Sequence, residues 1–140
     1  MTAFDKIFSD CAKQVGLAWF IVENNPDRNI KAATQYQFPC IWRNFNEPTQ
    51  PLFDNHQRFE KEMSLYFVHV GFDKLTKEKI NENLHDFLLK FVSFKDLMYR
   101  KGIELSFTSK PFPNWKVTNY DEYGIVFNVT AKYSSVCLTA

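Results

Sequence analysis

The chain has 140 residues, is 45% hydrophobic, and sets 17 basic against 16 acidic side chains for a net charge of +1. That length suits one domain, residues 1–140, with a core of its own, and the apolar content excludes a disordered chain. The basic stripe of a nucleic-acid binder is missing, because Lys74, Lys77 and Lys79 are interrupted by Glu78 and followed by Glu82 and Asp86.

In chain order, residues 2 to about 23 read as helix. Phe4, Ile7, Phe8, Cys11 and Val15 follow the three-and-four spacing of one apolar stripe. Thr2 is placed to cap this helix, and Asp5 lies in its first turn, where a carboxylate suits the dipole. Gly16 ends or kinks it, and "LAWFIVEN" after it reads as a second short helix, with a strand as the alternative. "NNPDRN" (24–29) is turn chemistry. "QFPCIWRNF" (37–45) is a first strand, with Pro39 near its start pointing to an edge position or an entry point. "NEPTQPLFDNHQ" (46–57) is a polar, Pro-broken loop. A second strand spans about 59–72, with Met63, Leu65 and Phe67 on one face and Val68 and Val70 covering the other.

Residues 73–102 carry the strongest helical pattern. Ile80, Leu84, Phe87, Leu88, Phe91, Phe94 and Met98 form its stripe, Thr76 its N-cap, and Gly102 stands at the C′ position. "IELSFT" (103–108) is a third strand, and residues 109–124 a loop or twisted connection. The chain closes on "YDEYGIVFNVTAKYSSVCL" (120–138), where Ile125, Phe127, Val129, Ala131 and Tyr133 alternate with Asn128, Thr130 and Lys132. The order predicts an α+β fold, an antiparallel four-stranded sheet packed on one face by the long helix and the N-terminal helix.

Residues with chemistry are dispersed. His56 lies in a polar loop, His69 in an apolar strand and His85 on the solvent side of the long helix. Glu60 and Glu62 share one strand face with Lys61 between them, a pattern that keeps an outer face wet. Four unclustered glycines exclude a P-loop or a dinucleotide fingerprint. Cys11, Cys40 and Cys137 form no CxxC pair, so neither a metal site nor a cofactor is expected; apolar surroundings suggest free thiols in a reducing, intracellular setting. The N-terminus has no signal-peptide pattern, and no apolar run approaches the ~20 residues that span a bilayer. No catalytic set emerges, and the expected class is non-enzymatic.

Aromatics are the oddity, at 17% of the chain with 15 Phe. Two Pro-bearing loops display large apolar side chains, most of them aromatic: Leu52 and Phe53 in the first, Phe112 and Trp115 in the second. Prolines lower the entropic cost of holding a loop ready for a partner, and Trp and Phe anchor interfaces. These four residues are the candidate partner-binding set.

The sequence of an N-terminal helix, the proline-bearing strand "FPCIWRNF", a longer strand "EKEMSLYFVHVGF", the helix "KEKINENLHDFLLKFV" and the closing "GIVFNVTAKYSSVCL" resembles the tail-terminator, or tail-completion, neck proteins of tailed bacteriophages. The resemblance covers nearly the whole chain as a pattern and carries no residue signature. It implies a structural protein of the virion, assembled in the host cytoplasm, which forms a ring closing the tail tube or joining it to the head. Its partners would be copies of itself and other neck and tail proteins. The alternative is a small α+β domain binding an apolar ligand in a cavity between helix and sheet.

Overall fold

The computed structural model describes residues 2–22, 37–44, 49–51, 58–112 and 121–134. Helix α1 (Ala3–Gln14) opens as its sequence predicts. The Thr2 hydroxyl accepts the Asp5 amide at 3.1 Å and donates to the Asp5 carboxylate at 2.8 Å. It closes at Gly16, whose φ of 81° lets the Leu17 amide turn back to Ala12 O and the Gly16 amide to Lys13 O. Helix α2 (Lys77–Arg100) repeats this design: Thr76 accepts the Lys79 amide, and Gly102 at φ 85° returns the Ile103 amide to Met98 O. In both cases the residue after the glycine, Leu17 or Ile103, is buried, so each cap also fixes the entry of the following strand.

Those strands are β1 (Ala18–Val22) and β5 (Glu104–Phe112). With β2 (Cys40–Asn44), β3 (Thr49–Pro51), β4 (Arg58–His69) and β6 (Tyr123–Ser134) they form a single sheet in the order β1-β2-β4-β6-β5, with β3 alongside β4. β1 runs parallel to β2, and every other pairing is antiparallel. The fold is therefore α+β with two helices on a mixed sheet, and the expected four-stranded antiparallel sheet is corrected. Two causes account for the difference. Residues 18–22 are strand, where a second helix was expected. β3 is three residues long, inside what reads as a loop, and continues along the same edge of β4 that β2 occupies.

Boundaries shift as well. β4 stops at His69, and a short 3-10 turn (Phe72–Lys74) leads into α2. β5 extends through Pro111 to Phe112, four residues into the expected connection. The Phe38–Pro39 bond before β2 is cis. The turn expected at 24–29 and the end of the closing strand at 135–138 lie outside the described residues.

The helices cover one face. β6 sends Ile125, Phe127, Val129, Ala131 and Tyr133 into that core, and β4 sends Met63, Leu65 and Phe67. Between α2 and the sheet, Phe91 stacks on Phe127 at 3.9 Å with rings 3° apart, and Phe67 meets Phe127, Phe87 and Phe94 at 4.8 to 6.3 Å. Much of the aromatic surplus is consumed here, each ring burying roughly 150–250 Å². One ion pair is enclosed with it: Arg43 Nε of β2 lies 3.0 Å from Asp5 Oδ1 of α1, with side chains only 4% and 10% exposed.

Candidate interaction surface

The face of the sheet without helices is divided along its length. At one end a second cluster forms around buried Cys40, Trp42 and Val68, with Ala18, Phe20, Phe38, Tyr66 and Phe112 packed against it and half-buried. This cluster explains why the second half of β4 is covered on both sides, as its sequence suggests. At the other end the same face is polar. Ser64 donates to Asn128 Oδ1 at 2.7 Å across the β4–β6 pair, and Glu62 sits opposite Thr130 and Glu60 opposite Lys132.

Of the four candidate partner-binding residues, Phe112 is described. It ends β5, opposite Gly124, and meets Tyr66 edge-on at 6.0 Å. Gly124 is the reason it can lie there: a Cβ at that position would overlap the Phe67 carbonyl oxygen and approach the Phe112 ring. Leu52, Phe53 and Trp115 lie outside the described residues.

A second surface escapes the sequence reading. Leu88, expected in the core stripe, is 41% exposed, and Val92, Tyr99 and the β5 residue Phe107 are 63%, 67% and 43% exposed. At four- and seven-residue steps Leu88, Val92 and Tyr99 form their own row along α2. Val92, Lys95, Asp96 and Tyr99 line one wall of a groove of about 330 Å³, and Glu104, Leu105 and Phe107 the other. Phe107 leans on Phe91 at 4.6 Å with Lys95 Nζ 6.0 Å above its ring, so its inner edge is packed and its outer edge bare. The signal was present in the sequence: the apolar arc of α2 is wider than one contact requires.

The groups whose acidity the fold alters are dispersed. His69 stacks on Tyr123 at 5.6 Å and accepts the Val70 amide at Nδ1. Burial pushes its pKa below the usual histidine range, and the Lys90 and Lys79 ammoniums push the same way. The Tyr123 hydroxyl accepts from Asn83 Nδ2 at 2.7 Å, and burial raises its pKa. His85 is exposed on α2, and His56 lies outside the described residues. Burial likewise raises the thiols of Cys11 and Cys40, two buried free cysteines suited to packing and poorly suited to nucleophilic work. Among the described residues no three His, Cys, Asp or Glu side chains gather closely enough to hold a metal ion. No described helix is long and apolar enough to cross a membrane.

The chain matches no protein-family model, and no curated protein is significantly similar to it.

Proposed function

We propose that this chain is a non-enzymatic structural subunit of a tailed-phage neck or tail, assembling with copies of itself into a ring that closes the tail tube or joins it to the head. The observation that carries the reading is the half-buried aromatic cluster on the helix-free face, where Phe20, Phe38, Tyr66 and Phe112 crowd one end of the sheet. Aromatic rings partly open to solvent and rimmed by polar strand residues are what a protein interface uses as anchors. The element order that resembles the neck proteins supplies the kind of assembly. A ring needs a heterologous contact, two different patches meeting around the circle. The Phe112 end of the sheet is our candidate for one of them; Leu52, Phe53 and Trp115, outside the described residues, stay candidates from the sequence alone.

The ligand-binding alternative gains nothing from the packing. The space between α2 and the sheet holds the stacked Phe91 and Phe127 rings, which an apolar ligand would have to displace.

Native mass spectrometry over a range of concentrations, with negative-stain images of the same sample, tests the proposal. Closed assemblies of one size are expected, depleted in Phe112→Ala. A chain that stays monomeric or dimeric at every concentration overturns the ring.

A further inference from the structure

β5 is the last strand of the sheet order, and among the described residues it pairs only with β6. Its outer edge therefore offers a row of backbone donors and acceptors, which natural proteins usually block or occupy. Pro111, which has no amide to give, sits near its end, leaving Glu104–Lys110 free of proline.

We propose that two copies of this chain pair antiparallel through these β5 edges, about a two-fold axis at Phe107, extending one sheet across the dimer. Charge complementarity sets the register. Glu104 and Lys110 are both exposed, lie three residues either side of Phe107, and share the helix-free face. Antiparallel pairing about Phe107 puts Glu104 opposite the partner's Lys110 and Lys110 opposite the partner's Glu104. Each strand thereby satisfies two cross-strand ion pairs with a single sequence, as an isologous contact demands. Within its own sheet Glu104 already faces Lys132, whereas Lys110 faces Val126, so it is at Lys110 that a second copy supplies a missing acidic neighbour. Charges on an edge strand ordinarily discourage association. Here they are of opposite sign and symmetric about the axis, so they select this register over its slips.

The helix face agrees. At the axis the two Phe107 rings meet, and the groove beside them, walled by Val92 and Tyr99, comes alongside its symmetry mate. The row Leu88, Val92 and Tyr99 thereby gains an apolar neighbour from the partner's α2, which accounts for its exposure in the isolated chain. This contact uses one patch twice and is distinct from the ring contact at Phe112; it stands or falls without the phage reading.

Sedimentation equilibrium on the whole chain, from micromolar to millimolar concentration, reads the dimer constant. Glu104→Lys and Lys110→Glu each place like charges opposite one another at both symmetric positions, and each raises the dimer Kd by about tenfold. The double variant Glu104→Lys/Lys110→Glu restores opposite signs and returns the Kd to near the wild-type value. Both side chains are exposed, but Glu104→Lys also faces Lys132 of β6, so a thermal melt of each variant checks that the monomer fold is kept. A monomeric wild type at millimolar concentration overturns the pairing. So do single variants that dimerise as the wild type does, or a double variant no tighter than the singles. Phe112→Ala, the ring variant, leaves this constant unchanged, so the two proposals fail separately.

Discussion

At Gly124 the sheet leaves no room for a side chain. A methyl there runs into the Phe67 carbonyl, a backbone atom that cannot swing away, and reaches the Phe112 ring. Gly124→Ala is expected to cost about 3 kcal/mol, read as a shift in urea midpoint at constant slope. The Asp5–Arg43 pair is a second sensitive point. Its attraction is offset by the desolvation of both ions, but removing Asp5 takes a carboxylate from the buried Arg43 guanidinium. Asp5→Ala should destabilise by about 3 kcal/mol, and Asp5→Ala/Arg43→Met by less, in the same denaturation assay. His69 gives a pH signature. Its folded pKa is depressed, so the unfolded chain takes up a proton that the native state resists. Its stability contribution is complete above the unfolded value of 6.5 and is lost as pH falls from there toward the folded pKa. His69→Gln should therefore flatten the loss of stability between about pH 7 and about pH 5 relative to wild type, and an unchanged slope would refute the assignment.

Among the elements, α2 separates two apolar rows that look alike in sequence. Phe87, Phe91, Phe94 and Met98 are buried, whereas Leu88, Val92 and Tyr99 are exposed. Phe91→Ala is expected to cost about 4 kcal/mol, because Phe127, Phe67 and Phe107 lose a partner, while Val92→Glu changes monomer stability by less than about 0.5 kcal/mol. Thermal melts at a concentration low enough to keep the chain monomeric distinguish the two. The helix ends were legible because caps are local: Thr2, Thr76, Gly16 and Gly102 each act through neighbours within a few residues. β1 was not legible. "AWFIV" is a short apolar run without alternation, and such a run fits a buried helix as well as a strand. Its state is decided by parallel pairing with β2, from Ala18 opposite Cys40 to Val22 opposite Asn44, a partner that no local pattern reveals.

Over the whole molecule, the closing strand turns out to lie inside the sheet, between β4 and β5. β6 pairs along its full length with β4 and again with β5, so neither of its edges is free. Among the described residues β5 ends the order and pairs on one side, and it carries apolar surface beside it. Assembly is expected to act on surfaces that the monomer leaves partly bare, at the Phe112 end and along β5, without altering the core beneath. Variants of exposed residues along β5, such as Lys110→Glu, should change association while leaving the unfolding free energy of the monomer within about 0.5 kcal/mol of wild type.

The sequence by itself determined the α+β class, the caps of the helices and the buried face of β6, because periodicity and capping are written within a turn or two of chain. Only the tertiary structure decided that the sheet is mixed, that the last strand lies inside it, and which apolar residues of α2 are left outside. Those outcomes depend on which strands meet across long stretches of sequence. A strand's neighbours and the width of the sheet beneath a helix set burial, and a single chain's residue pattern encodes the face of a strand far better than its place in the order.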